Sequence, residues 1–298
     1  MYHRPVLLND CIEGLNIQPN GVYVDVTFGG GGHSAEILKH LDEHGKLVVF
    51  DQDADAFKNL PNEKRVVAVA ANFKYLSNYL LANKIKAVDG ILADLGVSSH
   101  QFDTADRGFS LRFEGKLDMR MDTKQRISAA EVVNEYEEDQ LRRIFKQFGE
   151  LENAARVARM LVAARKQSPI DTTLQLKEVL SSLVFKSKEH KFFAQVFQAL
   201  RIEVNKELEA LQMMLTQSLQ MLNPKGRLVV ISYHSLEDRL VKNFMRSGKW
   251  EGDPEKDFYG NSLAPFKLIT RKAIVPSEEE IDINNRARSA KLRIAEKI

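Results

Sequence analysis

In the first hundred residues, short apolar runs alternate with amphipathic stretches. The runs Val22-Tyr23-Val24-Asp25-Val26, Lys46-Leu47-Val48-Val49-Phe50, Val66-Val67-Ala68-Val69 and Val88-Asp89-Gly90-Ile91-Leu92-Ala93 are β-branched or apolar. They lack the strict polar alternation of a half-exposed strand, which predicts strands covered on both faces. Between the first two, residues 34–41 carry Ala35, Ile37, Leu38 and Leu41 at helical spacing. Repeated strand, helix, strand predicts a parallel doubly wound sheet.

The rhythm breaks between about residues 103 and 201. Apolar residues three and four apart predict helices over 129–148, 152–166, 174–183 and 192–215. After Pro224-Lys225-Gly226 a strand returns at Arg227-Leu228-Val229-Val230-Ile231-Ser232, and residues 266–270 and 290–295 read as a final strand pair. The expected organisation is one discontinuous α/β core, residues 1–104 with 201–298, interrupted by a helical substrate-binding insertion over 105–200. Residues 247–261 read as a long charge-rich loop, and there is no internal repeat.

Composition narrows the class. Charged residues make up 28% of the 298, and no apolar run approaches the roughly 18 residues that span a bilayer, which argues against a membrane protein and against disorder. A single Cys11 can form neither an internal disulfide nor a zinc cluster, so no metal is expected and a reducing cytoplasm is the expected location. The net charge of +2 argues against a nucleic-acid partner until it is divided by segment. Residues 140–201 hold 12 Lys plus Arg against 5 Asp plus Glu, so the helical segment is basic and the remainder acidic. Basic residues on outer helix faces can also serve only to solvate them.

The segment Asp25-Val26-Thr27-Phe28-Gly29-Gly30-Gly31-Gly32-His33 follows the first strand and opens the first helix. Glycines there allow positive φ and close approach of a ligand to the backbone, and the free amides of a helix start attract negative charge. A phosphate-binding P-loop needs Gly-Lys-Ser/Thr next, where His33-Ser34 stands. A nicotinamide-binding Gly-x-Gly-x-x-Gly needs a third glycine at Ser34. Asp-x-x-x-Gly-x-Gly fits, with Asp25, Gly29 and Gly31, as in the first motif of S-adenosylmethionine-dependent methyltransferases.

Asp51 ends the second strand, where a carboxylate can accept from both ribose hydroxyls of an adenosine. Either NAD or S-adenosylmethionine satisfies that, and so does a structural turn with Asp51 as a helix cap. Phe73 after the third strand can cover an adenine or belong to the core. Asp94 after the fourth lies where ligands bind in such sheets, at the carboxyl ends of strands.

Longer strings are more specific. They are His3-Arg4-Pro5-Val6-Leu7-Leu8, Tyr23-Val24-Asp25-Val26-Thr27-Phe28-Gly29 with Gly31-Gly32-His33-Ser34, and Asp89-Gly90-Ile91-Leu92-Ala93-Asp94-Leu95-Gly96-Val97-Ser98-Ser99. Further on come Arg107-Gly108-Phe109-Ser110, Leu117-Asp118-Met119-Arg120-Met121-Asp122, Phe197-Gln198-Ala199-Leu200-Arg201-Ile202, Ile231-Ser232-Tyr233-His234-Ser235-Leu236-Glu237-Asp238-Arg239 and Asn285-Arg286-Ala287-Arg288-Ser289. Over nearly the whole chain these resemble the bacterial ribosomal RNA small subunit methyltransferase H, or MraW, family of N4-cytosine methyltransferases. Gly30 departs from a more usual Arg, and Ala93 from a bulkier apolar residue.

The resemblance implies a Rossmann-like class I S-adenosylmethionine-dependent methyltransferase sheet with a helical insertion, acting in the cytoplasm on a cytosine in the decoding region of 16S rRNA within the small ribosomal subunit. It implies cofactor contacts at Asp25, Gly29, Gly31, Gly32, His33, Asp51, Phe73, Asp94 and Gln101. A homodimer is compatible with it. Asp94 can accept from the cytosine N4 or hold the amino group of the cofactor. It lacks the Pro-Pro-aromatic that follows this position in many DNA amino-methyltransferases, so other groups must hold the base. Tyr233 and His234 at the end of the fifth strand are expected to line the cytosine pocket, the alternative being that His234 and Ser235 cap the next helix. Arg142, Arg143, Arg156, Arg159, Arg165 and Lys166 are expected to track RNA phosphates. The competing readings are an NAD-dependent oxidoreductase and a non-catalytic RNA-binding assembly factor.

Overall fold

The computed structural model describes residues 5–298, so His3 and Arg4 of the amino-terminal motif lie outside it. The chain divides into two compact units, Met1–Gly96 with Leu208–Ile298, and Val97–Glu207.

The first unit opens with α1 (Leu8–Leu15), then β1 (Val22–Asp25), α2 (Gly32–His40), β2 (Lys46–Asp51), β3 (Val66–Ala70), α3 (Leu76–Ala82) and β4 (Val88–Asp94). The second holds α4 (Ser99–Asp103), α5 (Ala129–Glu135), α6 (Glu138–Gln147), α7 (Ala154–Arg165), α8 (Thr173–Leu180) and α9 (Glu189–Asn205). The chain returns through α10 (Glu207–Met221) to β5 (Leu222–Ser232), α11 (Ser235–Ser247), β6 (Phe266–Leu268), α12 (Glu278–Ile283) and β7 (Lys291–Lys297). Among the described residues, no helix is long and apolar enough to cross a membrane.

The seven strands form one sheet in the order β3-β2-β1-β4-β5-β7-β6. Its first five strands are parallel, as their apolar runs require. The edge is not. β7 lies antiparallel to both β5 and β6. A parallel strand needs a crossover back to the starting end of the sheet. Here α11 carries the chain back so that β6 begins at the end where β5 begins, and the stretch from β6 to β7 stays at the far end, where Lys291 pairs with Ser232, so β7 must run back.

Alternation along β2 shows how both faces are covered. Leu47 and Val49 pack with Cys11, Leu15, Ile37 and Leu41 of α1 and α2 and the residue just after it. Val48 and Phe50 pack with Leu76, Leu80, Leu211, Met214, Val241 and Phe244 of α3, α10 and α11. At the lower end of the sheet, Asp89 ties three strands together. Its Oδ2 accepts from the Val22 amide at 2.8 Å and its Oδ1 from Asn223 Nδ2 at 2.8 Å.

The helical unit has its own core, including Leu141, Phe145, Val157, Leu161, Leu176 and Phe193. The stretch read as one helix over 129–148 is two, because Glu137 begins a second capping box in which its amide donates to Gln140 Oε1 at 2.9 Å. The stretch 192–215 likewise breaks at Lys206, whose φ of 51° leaves the right-handed helix. The segment Leu117 to Asp122 combines an ion pair with packing. Asp118 pairs with Arg120 at 2.6 Å, while Leu117, Met119 and Met121 are buried. Asn205 clamps this segment, accepting from the Met121 amide and donating to the Met119 carbonyl, both at 2.8 Å.

Gly90 is required by space. A Cβ there would lie 2.8 Å from two ring carbons of Tyr23 and 3.0 Å from Leu15. The buried Tyr23 ring cannot retreat, because its hydroxyl is held by the Gln18 amide at 2.7 Å. Gly90→Ala is expected to cost about 1–3 kcal/mol, the usual cost of overpacking. A urea midpoint equal to that of the parent chain would refute this.

Candidate functional site

Three neighbouring parallel strands end in carboxylates: β1 at Asp25, β2 at Asp51 and β4 at Asp94. The loop after β1 donates to the first two carboxylates and accepts from the backbone amide of Asp94. Asp25, 1% exposed, accepts from the Thr27 amide at 3.0 Å and from the Ser34 hydroxyl at 2.6 Å. The Gly29 amide donates to Asp51 Oδ2 at 2.8 Å, and the Asp53 amide donates to Asp51 Oδ1 at 2.8 Å. The Asp94 amide donates to Thr27 Oγ1 at 2.7 Å. Thr27, which the sequence reading passed over, therefore joins the glycine loop to the end of β4.

The loop takes this shape because two of its glycines hold left-handed conformations, Gly29 at φ 51° and Gly31 at φ 77°. Below Gly31 sits the ring of Phe28, 2.9 Å from where a Cβ would stand, and Phe28 stacks on Phe57 with centroids 5.7 Å apart. Above Gly29 the space is open. A Cβ there meets nothing nearer than the Thr27 carbonyl oxygen at 3.9 Å. Ser34 stands where a dinucleotide loop needs glycine, and its hydroxyl is fixed to Asp25.

Asp94 is held from several sides. The Tyr233 hydroxyl donates to its Oδ1 at 2.7 Å, and His33 Nδ1 lies 3.7 Å from its Oδ2. His33 is anchored at Nε2, 3.0 Å from the Val6 carbonyl oxygen. Burial raises the Asp94 carboxyl above the ordinary carboxylate range, although His33 and the Tyr233 hydroxyl pull it back down. Burial and the neighbouring Asp94 push the Tyr233 phenol well above its usual value. Burial also pushes Asp51 up to about 6. About a quarter of the Asp94 side chain, 24%, stays open.

Other expected site residues also have local partners. His234 is the N-cap of α11: its Nδ1 accepts from the Glu237 amide at 3.4 Å and its Nε2 lies 3.2 Å from Glu237 Oε1. With 7% of its side chain exposed, the ring serves the helix start as the capping alternative expects. Gln101 belongs to the helical unit, where its Oε1 accepts from the Ser98 amide at 3.2 Å and completes the capping box of α4. Phe73 is half-buried against the apolar core, while Asn72 caps the short turn after β3 through the Lys74 amide at 2.9 Å.

The basic residues also divide. Arg165 Nη1 donates to the carbonyls of Val133 and Tyr136 at 2.8 and 2.6 Å, closing the end of α5. Arg142, Arg143, Arg156, Arg159 and Lys166 remain exposed, with Arg142 paired to Asp139 at 3.1 Å and Arg159 to Glu138 at 3.9 Å. Exposed pairs of this kind hold loosely and can exchange partners. Arg142, Arg143 and Lys146 line a cleft of about 660 Å³ between α6 and the start of α7.

The chain is 58% identical to the ribosomal RNA small subunit methyltransferase H of Flavobacterium johnsoniae, over 100% of this chain and 98% of that one. The protein of the same name from Christiangramia forsetii is 56% identical over the same shares. A solved rRNA methylase from Streptococcus thermophilus aligns over 98% of this chain and 93% of its own, at 11% identity and a TM-score of 0.43. The sequence matches the MraW methylase family over residues 1–298. With that match spanning the whole chain, and relatives above half identity along their full length, the chain belongs to the MraW methylase family.

Proposed function

We propose that this protein transfers a methyl group from S-adenosylmethionine to the N4 amine of a cytosine in the decoding region of 16S rRNA. The observation that carries this reading is Asp94, a partly open carboxylate at the end of β4, tied through Thr27 to the glycine loop. The relatives named as small-subunit rRNA methyltransferases support the substrate class.

The residues present fit the cofactor. Gly29 leaves room against the loop, and each Asp51 oxygen already accepts one amide and retains a lone pair for a ribose hydroxyl. Phe73 beside β3 is the candidate adenine contact. When bound, S-adenosylmethionine supplies a methyl on a positively charged sulfur, so the protein has chiefly to position and polarise.

Cytosine N4 is a weak nucleophile because its lone pair is delocalised into the ring. Asp94 accepts an N4 hydrogen, which favours the tetrahedral nitrogen as the methyl bond forms, and takes the proton the amine loses. Tyr233 holds Asp94 Oδ1 by donation, leaving Oδ2 for the substrate. The base must reach the site unpaired or extruded from its stack. Arg142, Arg143, Arg156, Arg159 and Lys166 bind backbone phosphates and fix the register of the RNA without reading its sequence.

Tritium transfer from labelled S-adenosylmethionine to small ribosomal subunits tests the whole reading, and label on any base other than cytosine would refute it. Asp94→Asn should lower kcat by roughly 10²–10⁴-fold, the range for a positioned acid or base, with the cofactor Kd changed only a few-fold. Undiminished kcat would remove Asp94 from the chemistry.

Asp51 yields a pH dependence. As an acceptor of two hydroxyls it binds best ionised, and its carboxyl titrates near 6. Cofactor affinity should therefore be level above that pH and fall about tenfold per unit below it. Calorimetry showing equal Kd at pH 5 and pH 7 would take Asp51 out of the ribose site.

RNA affinity should fall steeply with salt. Replacing Arg143 with Ala should weaken binding and reduce the slope of log K against log salt by about 1, the effect of one lost phosphate contact. An unchanged slope would place Arg143 outside the interface.

A further inference from the structure

The ring of His33 is buried on the first turn of α2, with 7% of its side chain exposed, and both nitrogens face oxygen. A carbonyl oxygen only accepts, so Nε2, 3.0 Å from Val6 O, must carry its hydrogen. In the neutral ring that leaves Nδ1 as a bare lone pair pointing at Asp94 Oδ2, 3.7 Å away, which repels an ionised carboxylate. The contact becomes favourable only when a proton sits between the two.

We infer that His33 is a positioning residue for Asp94: fixed at Nε2 by the Val6 carbonyl, it presents Nδ1 so that a proton there keeps the carboxylate ionised and ready to accept from the substrate amine. The inference rests on the proposed role of Asp94.

The surroundings make such a counter-charge necessary. Asp94 is faced by Asp25 from β1 and by Glu237 from α11, both of which oppose its ionisation, and by the Tyr233 hydroxyl after β5, which favours it. Cys11 of α1 also lies within range of Asp94 and Tyr233, as a buried thiol whose own ionisation is disfavoured. Among these groups, His33 is the one that can bring positive charge to the carboxylate. The balance of the step is simple. The N4–CH3 bond forms as the sulfur–CH3 bond breaks with its electron pair left on sulfur. The N4 proton passes to Asp94 and then to solvent through the open part of its surface.

His33→Gln retains an N–H donor for the Val6 carbonyl and removes the ring nitrogen that faces Asp94. With an ionised Asp94 required, activity rises with pH through the titration of that carboxyl, and loss of the counter-charge moves the rise to higher pH. The midpoint of that rise should lie about one pH unit higher than in the parent. A purely structural role would lower the rate at every pH and leave the midpoint where it is, which would overturn the inference.

A second readout needs no turnover. In cofactor-free protein with 13C-labelled aspartate, the Asp94 carboxyl titration should move up by about one pH unit in His33→Gln, and an unmoved midpoint would overturn the pairing. Should that variant not fold, the parent chain suffices, because the 15N resonance of His33 Nδ1 must respond at the Asp94 midpoint. Asp94→Asn separates the two claims. If it keeps the acid limb of the parent, the role of Asp94 as proton acceptor fails, and the carboxyl titration still decides its pairing with His33.

Discussion

Three carboxylates at the ends of adjacent strands repel one another in a place where little water can screen them. Asp25 raises the cost of ionising both Asp51 and Asp94, and burial raises it further. The sheet tolerates this crowding because the loop between β1 and α2 delivers hydrogen-bond donors to it. The Gly29 amide meets Asp51, while the Thr27 amide and the Ser34 hydroxyl meet Asp25; the Asp53 amide, just after β2, adds a second donor to Asp51. Only a backbone free to adopt positive φ at Gly29 and Gly31 can turn those amides inward, so the glycines and the carboxylates form one device.

The same device explains which features can be read from the chain. Both-face burial leaves uninterrupted apolar runs, so the inner parallel strands and the aspartates closing β1, β2 and β4 are visible in the sequence, whereas β3, read as covered on both faces, lies at the sheet edge with Ala68 and Ala70 exposed. Helix breaks at Glu137 and Lys206 are hidden because the apolar period continues across them, and only a capping side chain or one left-handed residue marks the stop. The direction of β7 is hidden for a different reason. It depends on which end of the sheet the preceding connection occupies, and that connection contains only short elements.

Side chains with two possible uses are the hardest to place from spacing. His234, Gln101 and Arg165 each carry the chemistry expected of a site, and each satisfies backbone groups at a helix end. A helix terminus leaves amides or carbonyls unpaired, and a nearby polar side chain meets that local need before a distant one. Thr27 is the reverse case. It looks like an ordinary loop residue, yet its hydroxyl oxygen receives the amide that fixes where Asp94 begins.

Under the proposed function, the crowded acids also bear on the order of events. A sulfonium brings a positive charge to a site that Asp25, Asp51 and Asp94 make negative, and that attraction is strongest where burial excludes water. Methyl transfer removes the charge from sulfur and leaves a proton to be disposed of beside the same carboxylates. The ligand that remains is neutral at sulfur, so the part of its binding that came from the acids is lost as the bond forms. The electrostatics that draw the donor in therefore weaken on turnover, and release of the product is favoured by the arrangement of carboxylates that receives the proton.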